Sequence, residues 1–366
     1  MTPVSRVMGV LALIGTPITG CGARSWLPVD PLPDADTGDG AMCSETPVAL
    51  EPNVPNLYFV LDRSKSMLDQ NKWTNVRSAA ANLIGQLKAS ARFGATLFPG
   101  PGGGGCATGA EVMPLRLGDD LGATANAFLA ATALTPNGGT PTAATFRSLL
   151  PKFSAVPGIT VAILATDGGP NCDPNLVTCP IDQCTSNIDG ITDGNGVQLC
   201  FPNIPPNCCD AARSGGTGCL DGNATAQAVA ALRAIGVQTY VMGIPGSSPY
   251  GPILDQLAIA GGTARSGQPR YYAVTSADES ALASAFQDIV TQAMKSCSLI
   301  LGHAVADPNR VNVYIDGTVV PSSGRDGWST TGRTVTLKGA TCDAFRAAPS
   351  AGAPPLRVAE GCATVR

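Results

Sequence analysis

The chain has 366 residues, 44% of them hydrophobic but only 5% aromatic, with 43 glycines and 30 prolines, enough apolar material for one large domain and one small one linked by long irregular loops. A net charge of −4 without any Lys/Arg run excludes a nucleic-acid partner and an electrostatic membrane contact. The single histidine, His303, speaks against zinc chemistry and against Ser-His or Cys-His nucleophile pairs.

Arg6 opens the chain with a positive charge, and residues 7–15 form an apolar stretch too short to span a bilayer. It ends in Ile18-Thr19-Gly20-Cys21, which resembles a bacterial lipobox. The resemblance implies that residues 1–21 are a lipoprotein signal and that Cys21 takes a diacylglycerol. Gly22, in place of Asp, implies the outer membrane, with the lipid as the only membrane contact. Thirteen cysteines fit such an oxidising compartment, and with Cys21 set aside the other twelve can all pair. Residues 22–50, rich in Pro, Gly and Asp and without apolar period, read as a flexible tether.

From Asn56 buried strands alternate with amphipathic helices. Leu57-Tyr58-Phe59-Val60-Leu61 is an unbroken apolar run, as a strand covered on both faces requires. Val76, Ala80, Leu83 and Leu87 recur at helical spacing. Two strands follow over 92–98 and 111–117, joined across the Gly102–Gly105 loop, then helices around 121–131 and 141–150 and a second buried strand over 159–165. Residues 224–235 predict a helix, 237–242 a strand, 252–260 a helix and 271–274 the last strand of this series. Ser276 and Glu279 form a capping box for a final helix bearing Leu282, Phe286, Ile289 and Ala293 on one face. Such alternation predicts an α/β fold, a doubly wound and mostly parallel sheet, with ligands bound outside the carboxyl ends of its strands. Two stretches break the rhythm: residues 171–221 form a Cys-rich insertion, and residues 297–366 a small C-terminal β module in which Asp316-Gly317 predicts a hairpin turn.

The first buried strand runs into Asp62-Arg63-Ser64-Lys65-Ser66, a D-x-S-x-S at its carboxyl end. Gly138-Gly139-Thr140-Pro141 and Leu164-Ala165-Thr166-Asp167-Gly168 follow in order. Asp62, Ser64 and Ser66 sit on one turn, while Thr140 and Asp167 come from neighbouring loops at the same sheet end. All five offer oxygen, which suits a hard cation such as Mg²⁺, or Mn²⁺ or Ca²⁺, and leaves part of its shell open. With these three elements the chain resembles the von Willebrand factor A (VWA) family over about residues 55–296, within a domain read as 51–296. The resemblance implies a metal-ion-dependent adhesion site at which an acidic side chain of a partner completes the ion's shell. Lys65 stands where the family often has Gly; beside the site it lowers cation affinity or attracts an acidic partner. The Gly102–Gly105 run lacks a following Lys-Ser/Thr and opens no helix, so it is a hairpin loop and no phosphate cradle.

The cysteines fall into two even sets. Cys106 and the insertion's Cys172, Cys179, Cys184, Cys200, Cys208, Cys209 and Cys219 belong to the metal end; Cys43, Cys297, Cys342 and Cys362 belong to the opposite end. All twelve are expected in disulfides, with Cys208 and Cys209 bound to different partners because a bridge between neighbours is strained. The function expected is binding without catalysis: an envelope lipoprotein that grips an unidentified acidic protein ligand through a cation. The alternatives are a metal-independent structural envelope protein and a hydrolase using Ser64 or Ser66, which lacks a base and a G-x-S-x-G elbow.

Overall fold

The computed structural model describes residues 43–51, 54–102, 105–173, 175–176, 178–180, 182–185, 209, 218–294, 297–347 and 356–366. Cys21, Cys200, Cys208 and most of the expected tether lie outside the described residues. Two short strands open the described chain, β1 (Thr46–Val48) and β2 (Leu50–Glu51). The expectation that the tether runs to residue 50 is therefore corrected: its last residues are built into the C-terminal module.

The central elements follow in the order β3 (Asn56–Asp62), α1 (Lys72–Leu87), β4 (Arg92–Phe98), β5 (Ala110–Leu117), α2 (Ala123–Ala131), α3 (Thr142–Ala155) and β6 (Thr160–Thr166). Beyond the insertion come α4 (Gly222–Ala234), β7 (Gln238–Gly243), α5 (Gly251–Ala260), β8 (Tyr272–Ala273) and α6 (Glu279–Met294). Six strands pair in the order β5-β4-β3-β6-β7-β8, all parallel except β5, which returns antiparallel to β4 across the glycine-rich loop. Every residue of β3 is buried, as its unbroken apolar run requires of a central strand.

Alternation along β3 divides the core into two layers. Leu57, Phe59 and Leu61 face α1, α2 and α6 through Val76, Ala80, Leu83, Phe128, Leu282, Phe286 and Ile289. The Phe59 ring sits 5.3 Å from that of Phe128 and 5.6 Å from that of Phe286. Tyr58 and Val60 face α3, α4 and α5 through Phe146, Leu149, Phe153, Val229, Leu232, Leu254 and Leu257. The sheet is thus doubly wound, and burying each such side chain contributes about 1.5–3 kcal/mol. At the start of α6 the capping box does not form: Ser276 Oγ accepts from the Asp278 N–H, and the Glu279 carboxylate accepts from Asn82 instead.

The C-terminal module adds β9 (Ser298–Leu301), β10 (Val311–Ile315), β11 (Thr318–Val320), β12 (Trp328–Thr331), β13 (Thr334–Leu337), helix α7 (Gly339–Ala347) and β14 (Leu356–Glu360). Its two four-stranded sheets, β1-β14-β10-β11 and β12-β13-β9-β2, enclose a core of Val48, Leu301, Val311, Val313, Trp328, Val335, Leu337, Leu356 and Val358. Asp316 and Gly317, with φ of 49° and 77°, form the expected two-residue turn between β10 and β11. A cleft lined by Asn56, Arg92, Pro157, Gly158 and Ile300 places β9 against the amino ends of β3, β4 and β6, the sheet end opposite Asp62.

Candidate metal centre

Strands β3 and β6 lie side by side in parallel register, so Asp62 and Asp167 emerge together at their carboxyl ends. The Asp62 side chain is wholly buried. Its Oδ1 accepts the Ser64 N–H at 2.7 Å, which bends the chain back on itself, and its Oδ2 accepts the Thr166 hydroxyl at 2.6 Å. A carboxylate offers about four lone-pair sites, so accepting hydrogen bonds does not by itself bar it from a cation.

The bend brings Ser64 Oγ to 3.0 Å from Ser66 Oγ, and Ser66 donates at 2.9 Å to Asp167 Oδ1. Met67, fully buried, pins the turn from below, its N–H bonded to the Ser64 carbonyl. Hydrogen bonds therefore join Ser64 Oγ, Ser66 Oγ and Asp167 Oδ1 into one chain of oxygens, with Asp62 tied to it through the Ser64 N–H. Thr140 is buried on the adjoining loop, its N–H donating to Asn171 Oδ1 at 2.7 Å and its carbonyl accepting from the Asn171 N–H at 3.0 Å. That loop is stitched to the D-x-S-x-S turn by Lys65 N–H to the Gly138 carbonyl, 3.0 Å, and by Asn137 N–H to the Arg63 carbonyl, 2.8 Å. Gly138, at φ +85°, packs so tightly on residue 105 that a Cβ would stand 2.5 Å from the Gly105 carbonyl oxygen.

Several residues of the site were not read from the sequence. Arg63, the first variable position of the motif, is buried and donates to the carbonyls of Thr135 (2.7 Å) and Gly100 (3.1 Å), clipping two loops to the turn. Asn171 braces Thr140. Lys72, the first residue of α1, is 5% exposed and its ammonium donates to Asp167 Oδ2. Lys65, the lysine singled out from the sequence, is exposed, whereas Lys72 is buried against Asp167. Burial raises the pKa of Asp167, while the Lys72 ammonium and the Ser66 hydroxyl act against that shift. A lysine opening a helix opposes the helix dipole, the one local signal that marks Lys72 as paired elsewhere.

The rim beyond Asp167 is stapled. Cys106, from the β4–β5 loop, bridges to Cys172, next to Asn171. Within the insertion Cys179 bridges to Cys219 and Cys184 to Cys209, so Cys209 does not pair with its neighbour Cys208. Cys297 bridges to Cys342 in the module, and Cys43 and Cys362 are each in a disulfide. Each of these four assigned bridges joins members of one expected set. Behind the rim Asp173 forms a two-pronged ion pair with Arg147, at 2.7 and 2.9 Å. Burial would raise Asp173, yet the Arg147 fork and the Asn175 N–H hold it below the usual carboxylate range. Burial, with the Asp173 charge adding to it, pushes Asp221 up to about 7 against the Thr225 hydroxyl bond. Asp221 Oδ2 is buried and has no hydrogen-bond partner among the described residues.

Among the described residues no three His, Cys, Asp or Glu side chains gather as a metal cluster. The candidate centre differs in kind: two carboxylates and hydroxyls, a hard-oxygen set suited to Mg²⁺, Mn²⁺ or Ca²⁺ and to no soft metal. His303 pairs with Glu360 on the module at 2.9 Å.

No protein-family model and no curated protein matches the chain. Among solved structures it is similar to the pilus adhesin SpaC from Lactobacillus rhamnosus GG, at 16% identity and a TM-score of 0.44, over 86% of this chain and 40% of that one. It is also similar to the vWF domain of the type V pili tip protein Mfa5 from Porphyromonas gingivalis, at 13% identity and a TM-score of 0.43, over 65% and 94% of the two chains. A third is the PilB minor pilin from Streptococcus sanguinis, at 17% identity and a TM-score of 0.42, over 66% and 61%.

Proposed function

We propose that this chain is a VWA-type binding protein of the cell envelope, anchored through a lipidated Cys21, that holds a divalent cation and through it an acidic protein ligand. The observation that carries the reading is the hydrogen-bonded run from Ser64 Oγ through Ser66 Oγ to Asp167 Oδ1, beside the buried carboxylate of Asp62. Asp62, Ser64, Ser66, Thr140 and Asp167 would hold the ion, which would supply an electrophilic point for a partner's carboxylate. Three of these five ligands are neutral, so modest affinity and an incompletely satisfied ion follow. No catalytic role is proposed for Ser64 or Ser66, whose hydroxyls are committed to each other and to Asp167.

A ligand that binds only the folded state raises its stability. Thermal unfolding of the wild type is expected to shift upward with Mg²⁺ or Mn²⁺, and Asp62→Ala to abolish the shift. An equal shift in both proteins would remove the site assignment. One observation favours a second reading, a structural envelope protein that needs no metal: the Lys72 ammonium already neutralises Asp167.

A further inference from the structure

A lysine ammonium buried away from water is costly unless it is paired, and here its one assigned partner is a carboxylate of the candidate centre. The chain is shaped to deliver it. Gln70 and Asn71, at φ 52° and 58°, turn the backbone left-handed immediately before α1, so the helix begins with Lys72 beneath Asp167. The loop after β7 closes over the pair through Gly246, φ +112°, where a Cβ would lie 3.5 Å from Lys72 Nζ and 3.7 Å from Asp167 Cβ. Asp62 and Asp167 bring two negative charges; Lys72 returns one positive charge from inside the protein.

We propose that Lys72 is a resident cation of the centre, competing with the divalent ion for Asp167 and setting how tightly that ion is held. The proposal rests on the cation reading above. With Lys72 in place the metal-free centre keeps one net negative charge instead of two, and an incoming ion meets a like charge at a carboxylate it would share. Like charges at such separations in a buried site change affinity by about tenfold or more. Loaded, the same centre carries a net positive charge, which favours an acidic partner.

The test uses the full chain after removal of bound metal, with Mn²⁺ as the probe and the free-Mn²⁺ electron paramagnetic resonance signal as the readout. Lys72→Met is expected to bind Mn²⁺ about tenfold or more tightly than the wild type. Lys65→Met removes an exposed charge on the same turn and is expected to stay within about threefold, since solvent screens it. Structural damage lowers affinity, so a gain cannot come from it; Lys72→Gln, which keeps a polar contact to Asp167, supplies the comparison if the methionine variant does not fold. Affinity equal to or below the wild type in the Lys72 variants overturns the proposal, as does an equal gain in Lys65→Met. Mn²⁺ binding by none of the proteins overturns the cation reading together with the proposal, whereas equal binding by all overturns the proposal alone.

Discussion

The two ends of this protein are ordered by different forces. In the C-terminal module the strands supply the order: each pairs with a neighbour in an antiparallel ladder, and the space between the two sheets is filled by aliphatic side chains and Trp328. At the carboxyl rim of the central sheet the ladders have ended, and loops from β3, β4, β6 and β7 are held by side chains instead. Arg63, Asn171, Thr166 and Lys72 each bond to a loop other than their own, and Cys106–Cys172 adds a covalent tie. A rim that gathers two carboxylates cannot be held by hydrophobic burial, because its groups must stay polar. It is over-determined by hydrogen bonds and staples, and single changes there reach the site.

The largest test of that difference removes one staple from each end. Either loss should cost about 2–4 kcal/mol, the usual value for a bridge closing a loop of this size. The Cys106→Ser/Cys172→Ser pair should also loosen the rim, read as faster amide hydrogen exchange at Gly139 and Asn171, whose N–H groups bond across the loops. The Cys297→Ser/Cys342→Ser pair should cost similar stability yet leave those two amides protected until global unfolding. Equal exchange in the two variants would mean that the rim has no separate reinforcement.

What could be read from the sequence follows the same division. Strand β3 was legible because a central parallel strand must be apolar on both faces, and Asp62, Ser64 and Ser66 because they directly follow it. Thr140 and Asp167 were legible as a helix-start and a strand-end position, respectively. Lys72 was not: it stands at the start of a helix, and only the left-handed pair Gln70-Asn71 and the packing of α1 bring it under Asp167. The strand at Thr46–Val48 was hidden because it is three residues long, contains Pro47 and pairs with residues 358–360 at the far end of the chain, a partner no local pattern shows. Helix α7 was missed because its nine residues form a short segment inside a strand-rich stretch. Cysteine parity separated the two ends correctly for every assigned bridge, but partners within a set depend on loop geometry.

A smaller effect sharpens the contrast through pH. Asp221 is buried and pushed up to about 7, above the ordinary carboxylate value of 3.8, chiefly by burial and then by the Asp173 charge, with Arg147 and the Thr225 hydroxyl opposing. The folded state therefore holds a proton there that the unfolded chain gives up, so this group's contribution is full below about pH 4 and is lost as pH rises toward 7. Between pH 5 and pH 8 the loss amounts to about 3 kcal/mol. Asp221→Asn keeps an acceptor for Thr225 and removes the ionisation, and its chemical denaturation should lack that decline. A decline of equal size in the variant would assign it to other groups.

The smallest effect is expected at the module's surface pair, His303 and Glu360. Their atoms approach to 2.9 Å, as close as the polar contacts of the rim, so distance alone predicts equal worth. Exposure decides otherwise: the His303 side chain is 58% accessible, against 6% for Lys72. Water competes for both partners of the exposed pair and replaces the imidazole when it is removed, whereas burial shields Asp167 from such replacement by water. Pairs as exposed as His303–Glu360 contribute about 0–1 kcal/mol, and β14 stays registered by its backbone bonds to β1 and β10 on either side. His303→Ala should therefore lower the unfolding free energy from urea denaturation by about 0.5 kcal/mol or less and leave Mg²⁺ or Mn²⁺ dependence unchanged. A loss of 2 kcal/mol or more, about the scale set by a rim group, would show that the module too depends on polar side-chain ties.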